Sequence, residues 1–334
     1  MDIRRLDPHD EVDAAQWYSA LRVGSSADLT APFVIGEQAA LTSLRSNDGN
    51  PYTDRRAYGA WEGDRCLGAS LLDLPRRDNT HAATIELSVV PPARRRGIGA
   101  ALFDAVLAEA AAEGRTVVDG EVNVVKGATL MDSPGGRFTA SRGFSTVHTQ
   151  QRLLLDLPVP EVGLSTLERA ARERSGGYRA IGWVGLPPKE RLQALAEMQS
   201  LMELDVPTGD VDREPVVHDA ERVLASQQRL SDQGYGLVTG MVLDATDSPV
   251  GFSSMFVTGE DVLQDNTFVL RAHRGNRLAA LAKVANLRQL ARHFPQARHA
   301  HTWTANTNDT MLSINSQFGF RAVETMYEVE RTLR

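Results

Sequence analysis

Apolar positions along this chain switch repeatedly between an alternating pattern and one with a period near 3.6, and neither runs far before the other replaces it. Ile3–Leu6 reads as a strand and Glu11–Arg22 as a helix with Val12, Ala15 and Leu21 on one side. Strands follow at Arg56–Trp61 and Cys66–Leu74, joined by the turn Glu62-Gly63-Asp64 in a hairpin signal. Thr84–Val89 is a further strand, stopped by Pro91-Pro92. Across Gly99–Glu113, Leu102, Ala105, Val106, Glu109 and Ala110 repeat as a helix that Gly114 closes. Thr116–Val122 returns as a strand, a short helix ends near Gly143, and Thr149–Leu157 is the last strand of this half.

Pro158-Val159-Pro160 marks a linker, and the amphipathic stretch Leu164–Arg174 after it ends at Gly176-Gly177. The order then repeats. Tyr178–Val184 is a strand and Pro188–Leu204 a helix with proline near its first turn. Tyr235–Leu243 and Pro249–Val257 form a second hairpin, Thr267–Leu270 a strand, and Leu278–His293 a long helix. His299–Thr304 is a strand, followed by a helix through Met311–Phe318. Laid on each other, the halves match at several points. Leu67-Gly68-Ala69-Ser70 falls on Val250-Gly251-Phe252-Ser253, Val89 and Arg94 on Val269 and Arg274, and Arg142-Gly143-Phe144 on Phe318-Gly319-Phe320. A repeat this long means duplicated domains, since solenoid units are far shorter.

The chain length of 334 residues agrees, fitting two domains of roughly 150 residues, each large enough for a core of its own. The boundaries expected are 1–157, a linker and connecting helix over 158–177, and 178–334. With 42% hydrophobic and 24% charged residues the chain is globular in composition, not disordered. A net charge of −7, with Arg94-Arg95-Arg96 the one basic run, argues against a nucleic-acid partner. It is compatible with a cationic substrate, a solvated acidic surface being the plain alternative. The single cysteine, Cys66, excludes an internal disulfide and fits a reducing compartment. No apolar run approaches the ~20 residues of a membrane span, and Met1-Asp2-Ile3-Arg4-Arg5 lacks a signal-peptide core. A cytoplasmic protein is expected.

The sharpest chemical feature is the stretch from Val89 through Arg94, Arg95, Arg96, Gly97, Ile98, Gly99 and Ala100. A strand ends at proline, enters a tight Arg/Gly loop and opens directly into a helix. Such a loop gathers backbone N–H groups at the positive end of the helix dipole, which suits a pyrophosphate. Gly97 and Gly99 let the backbone approach a ligand closely, and the arginines can add charge-assisted bonds. The lysine of a P-loop is missing. The dinucleotide fingerprint would need a third glycine and an early βαβ unit.

In these residues the chain resembles the GNAT superfamily of N-acetyltransferases, whose Arg/Gln-x-x-Gly-x-Gly/Ala signature is met by Arg94, Gly97 and Gly99. The C-terminal half is similar to tandem GNAT proteins of the mycothiol-synthase-like type. Its equivalent loop is Thr267-Phe268-Val269-Leu270-Arg271-Ala272-His273-Arg274-Gly275-Asn276-Arg277-Leu278-Ala279, followed by Thr302–Asn308 and Asn315–Phe320. One departure stands out: Arg277 holds the place of the middle glycine. The resemblance implies two tandem α/β (α+β) domains, each a mixed, mostly antiparallel sheet flanked by helices. It also implies acetyl-coenzyme A as cofactor and a small-molecule amine as acceptor, in a monomer or homodimer. Leu87, Val89, Thr267, Val269 and Asn306 would join the two loops in holding the coenzyme.

Transfer to an amine needs the amine neutral, so a base is useful. Glu86, on the strand feeding the first loop, and Asp265, before the matching strand, are the candidates, each weighed against a plain strand residue. The family's thiolate donor, often a tyrosine four residues before Gly-Phe, is replaced by Thr139 and by Asn315, of which Asn315 can donate a hydrogen bond. Asp205, Asp210, Asp212 and Glu214 follow the first helix of the second half, where GNAT loops wall the acceptor, and could hold a cationic amine. Solvated loop charge is the competing reading. His273 and His301 read as scaffold, and no metal-ligand spacing appears. The first half thus has the better pyrophosphate loop and the second the richer acceptor side, so the chemistry is expected in the C-terminal half. A non-catalytic acyl-CoA-binding or interaction protein is the alternative.

Overall fold

The computed structural model describes residues 1–333, and these divide into two compact units. The first contains β1 (Asp2–Arg5), α1 (Glu11–Ser26), α2 (Glu37–Arg45), β2 (Thr53–Glu62) and β3 (Arg65–Pro75). It continues with β4 (Ala82–Val89), α3 (Ile98–Ala112), β5 (Val117–Val125), α4 (Pro134–Ser141) and the start of β6 (Ser145–Asp156). The second unit takes over within β6 and contains α5 (Glu161–Arg172), β7 (Arg179–Val184), α6 (Lys189–Glu203), α7 (Ala220–Asp232) and β8 (Gly236–Leu243). Then come β9 (Pro249–Thr258), β10 (Asp261–Val269), α8 (Leu278–His293), β11 (His299–Ala305) and α9 (Asp309–Gln317). The chain ends in β12 (Arg321–Thr332), which from Val323 onward belongs to the first unit.

Each unit is built on a mixed sheet. In the first, β1 to β4 pair antiparallel in sequence order, β4 and β5 pair parallel, and β12 lies antiparallel beside β5. In the second, β7 to β10 pair antiparallel and β10 pairs parallel with β11. Helices cover these sheets because one stripe of each is apolar. Asp10 caps α1 by accepting from the Val12 and Asp13 amides, and the helix buries Ala14, Trp17, Ala20 and Leu21 in a cluster with Ala57 and Ala69. Trp17 also donates to the Tyr58 carbonyl at 2.9 Å. α3 buries Leu102, Phe103, Val106 and Ala110 in a cluster with Leu72, Ile85 and Val118. In the second unit α6 joins Leu195 and Met198 to Met241 and Phe252, and α8 joins Val284 and Leu287 to Val238, Met255 and Val262. No helix of the described residues is long and apolar enough to cross a membrane.

The duplicated plan read from the sequence is present, but the compact units do not follow the boundaries 1–157 and 178–334. The end of β6 leaves the first unit, burying Leu153 and Leu155 in a core of the second, while β12 and the segment Thr208–Glu214 join the first. Three elements were not expected at all. α2 and α7 carry few large apolar residues, and β12 alternates apolar positions with so many charges that its period is masked. β10 begins well before the expected Thr267, because Asp261, Gln264, Asp265 and Asn266 leave only Val262 and Leu263 as apolar signal there.

Candidate functional site

In the first unit β4 runs into a short 3-10 turn, Pro91–Ala93, and the chain then reverses through two left-handed residues, Arg95 (φ 64°) and Gly97 (φ 83°), before α3 begins at Ile98. No side chain caps α3, so the amides of its first turn remain available to a ligand. A Cβ on Gly97 would meet no atom within 4 Å, whereas one on Gly99 would touch Val89, Leu87 and Phe138 at 3.6–3.7 Å. Open space before Gly97 and uncapped amides behind it fit a pyrophosphate. Ile98 is buried beneath the turn, and Ala100 follows it in the first helical turn. Arg94 does not point its charge at that space. Its Nε donates to the Val89 carbonyl at 3.1 Å, Nη2 to the Gly24 carbonyl at 3.2 Å and Nη1 to Asp28 at 2.7 Å, so it braces the loop against α1. Arg96 pairs with Glu62 at 2.7 Å, while Arg95 is exposed.

The second unit repeats this turn with the residue types exchanged. Gly275 (φ 84°) and Arg277 (φ 55°) are the left-handed pair, and α8 again starts without a side-chain cap. The loop therefore keeps the backbone of the first although arginine replaces the middle glycine. Arg274 braces as Arg94 does, donating to the Val269 carbonyl at 3.0 Å and pairing with Asp205, which also accepts from Arg271 at 2.7 Å. Asp205 is thus committed to two arginines that hold its carboxyl below the ordinary range, and it is the counterpart of Asp28. Asn276 turns back to the His273 carbonyl at 3.1 Å, and Leu278 and Ala279 are buried. Asn306 is exposed just beyond β11. A groove of about 190 Å³ lined by Leu201, Leu204, Phe268 and Leu270 lies beside this loop.

The feature that sequence reasoning missed is acidic. The ladder between β4 and β5 stops after Thr84 and Asp119, where Gly120 lies so near the Ile85 carbonyl that a Cβ would come within 2.9 Å. Asp119 is registered opposite Glu330 and Glu121 opposite Glu328, and registered residues share a sheet face. Glu86, two residues past Thr84, falls on the same face. Asp73, opposite Thr84, is there too, but Arg55 consumes it in a two-pronged pair at 2.5 and 2.7 Å. Glu86, Asp119, Glu121, Glu328 and Glu330 therefore share one face with little cation to match them. Loss of hydration raises Glu86, Asp119 and Glu121 above their ordinary values, although Glu86 and Glu121 are exposed at the surface of the sheet. For Glu121, repulsion from Glu328, Glu86 and Asp119 adds to desolvation and lifts the group to about 7. The signal was present as Asp119-x-Glu121 and Glu328-x-Glu330, but only the β5–β12 pairing brings these together.

The corresponding place in the second unit is built differently. The β10–β11 ladder stops after Leu263 and His301, and the register of β10 against β9 shifts between Gln264 and Thr267. Asp265 sits in that bulge, accepts from Ser254 Oγ at 3.3 Å, and is raised to about 6 by desolvation. Thr267 Oγ1 bonds Ser253 Oγ at 2.9 Å. Among the described residues no His, Cys, Asp or Glu group could hold a metal ion.

Residues 27–124, which include the first loop and most of this acidic face, match the model of the acetyltransferase (GNAT) family. The N-terminal unit contains a GNAT domain. The whole chain has the fold of tandem GNAT proteins. It is similar to a tandem GNAT protein from the clavulanic acid biosynthesis pathway, solved without acetyl-CoA, at 23% identity and TM-score 0.77, over 99% of this chain and 98% of that one. A GCN5-related N-acetyltransferase from Sphaerobacter thermophilus is similar at 15% identity and TM-score 0.65, over 100% and 96% of the two chains. A putative acetyltransferase from Pyrococcus horikoshii is similar at 15% identity and TM-score 0.56, over 100% and 89%. No curated protein matches the chain in sequence.

Against the GNAT plan, the donor position is weak in both units. Thr139 spends its hydroxyl on the Gly136 carbonyl at 3.1 Å. Asn315 is buried, with Nδ2 on Thr304 Oγ1 at 3.2 Å, so it acts inside the packing and not at a surface. Asp210, Asp212 and Glu214, expected to wall the second GNAT unit, lie with the first.

Proposed function

We propose that this protein is an acetyl-CoA-dependent N-acetyltransferase in which the N-terminal GNAT unit acylates a cationic small-molecule amine. One observation carries the reading: a loop inside the GNAT-family match stands at the end of β4, and five carboxylates on β4, β5 and β12 share the face beside it. Like charges placed directly opposite each other destabilise a sheet, and here Glu121–Glu328 and Asp119–Glu330 do so twice in succession. An arrangement that costs stability and raises carboxyl pKa values is characteristic of a working site. The backbone amides from Arg95 to Ala100 and the exposed Arg95 would hold the coenzyme pyrophosphate, and when bound the coenzyme supplies an activated acyl thioester. The chain's own part is to draw in an ammonium ion and take its proton. Glu121, lifted to about 7, is partly deprotonated near neutral pH and so matched to that transfer, with Glu86 on the neighbouring strand as its partner. On this reading the chemistry belongs to the N-terminal half, whereas the sequence alone favoured the C-terminal one.

The test is thiol release from acetyl-CoA across mono-, di- and polyamines. Release should exceed hydrolysis for some amines. Because the base must be unprotonated, kcat/KM should rise with pH through about 7, and Glu121→Gln should flatten that limb and slow turnover by about 10²-fold. Tight coenzyme binding with no turnover on any amine would instead favour a non-catalytic acyl-CoA-binding protein.

A further inference from the structure

Segment Thr208–Glu214 follows α6 in sequence, yet it is part of the first unit, and its anchors are specific. The Asp210 amide donates to the Val147 carbonyl at 3.0 Å and the Asp212 amide to Glu330 Oε2 at 2.9 Å. Asn79 clasps Glu214 from both sides, accepting from its amide at 2.6 Å and donating to its carbonyl at 3.1 Å. His81 Nε2 lies 3.2 Å from the Asp212 carbonyl. Gly209 (φ 62°) passes so close to β6 that a Cβ would fall 2.4 Å from the Val147 carbonyl. These are mostly backbone bonds, so the strap holds its place with little help from its charged side chains.

Arg213 is the exception that faces the acidic surface. Its Nη2 lies 3.7 Å from Asp119 Oδ2, beyond hydrogen-bond range, and its side chain stays 47% exposed. It is the cation that offsets the raised pKa values of both Asp119 and Glu121, against Glu86, Glu328 and Glu330 pressing the other way. The two-pronged Arg55–Asp73 pair shows what a permanent ion pair looks like on the same sheet. Arg213 is held loosely, at a distance where an exposed pair is worth little.

We propose that this strap gates the acceptor face, with Arg213 as a resident counter-cation that an incoming ammonium must displace from Asp119 and Glu121. The inference rests on the acceptor reading above and adds to it a selectivity. A monocation gains little by exchanging one positive charge for another. An acceptor with two or more ammonium groups occupies Asp119 and Glu121 while reaching Glu86 or Glu328 as well, so the strap selects polycationic amines.

The test uses the full-length protein, calorimetric binding of spermidine and of propylamine, and the variants Arg213→Ala and Arg213→Glu. Arg213→Ala should tighten spermidine by about 3–10-fold and propylamine by no more than that, and Arg213→Glu should go further. Coenzyme A affinity should not move, since the strap's anchors remain, whereas Arg213→Glu adds a further carboxylate to the face and should lower the thermal midpoint. Spermidine affinity equal to or weaker than wild type in both variants overturns the gate while leaving the acceptor face intact. Binding of neither amine to wild type or to either variant overturns the acceptor face itself, and the gate with it.

Discussion

A non-glycine residue in the left-handed region costs roughly 1 kcal/mol more than glycine does, and each strand-to-helix Arg/Gly loop accepts that cost once, at opposite places. Arg95 bears it in the first loop and Arg277 in the second, while Gly97 and Gly275 relieve the other position. Gly97→Ala should therefore cost about 1 kcal/mol in urea unfolding, although nothing stands within 4 Å of the new methyl group. Arg277→Gly should be neutral or stabilising by up to ~1 kcal/mol, the lost bond from Arg277 Nη1 to the Ala170 carbonyl offsetting part of the gain. A loss above 1 kcal/mol for Arg277→Gly would mean that the side chain, not the backbone, fixes the second loop. At this scale the loop's location was legible from Arg94, Gly97 and Gly99, but not the work of its arginines. A signature arginine looks like a phosphate ligand until the Val89 carbonyl, the Gly24 carbonyl and Asp28 are seen to occupy it.

At the scale of the element, α3 and α8 begin alike and diverge in their middles. The register that sets Arg94 on Arg274 sets Phe103 on Lys283. Phe103 makes edge-to-face contacts with Phe138 and Phe144 at 5.9 and 5.8 Å between ring centroids. Lys283 is buried to 2% exposure, its Nζ 5.7 Å from the Phe320 ring, and burial alone lowers its amine from 10.5 to about 7. The unfolded chain thus keeps a proton that the folded chain gives up between those two values, so Lys283 makes stability rise with pH from about 7 to 10.5. Below pH 7 the amine is charged in both states and its burial penalty is fully present. Lys283→Met should raise the thermal midpoint at pH 7, by an amount corresponding to ~2 kcal/mol, with the gain shrinking toward pH 10. An equal effect at both pH values would show that packing and not charge is responsible. Periodicity had set α8 correctly, yet it could not mark Lys283 as buried. A lysine on an otherwise apolar stripe reads as one that reaches out to water.

For the molecule as a whole, the duplicated order of strands and helices was readable because hairpin turns and the helix after each loop are local signals. What escaped was long-range: which strand completes which sheet. β12 was invisible as a strand, and with it went the pairing that assembles the acidic face. Its residues Glu324 to Thr332 are registered against Val125 to Val117 of β5, and Val329 and Tyr327 close a cluster over Val122 and Val124. A fragment of residues 1–157 lacks that strand and the strap. It would leave the edge of β5 as a row of unpaired backbone groups, with Val122 and Val124 uncovered and Leu153 and Leu155 stripped of the core they enter. The fragment should show helical signal without a cooperative thermal transition, and should aggregate at concentrations where the full chain stays monodisperse. A peptide of residues 321–333 added in trans should restore cooperativity by re-pairing β5. If 1–157 alone unfolds cooperatively, the terminal strand is an accessory, and the carboxylates it brings to Asp119 and Glu121 cannot be a condition of the first unit's fold.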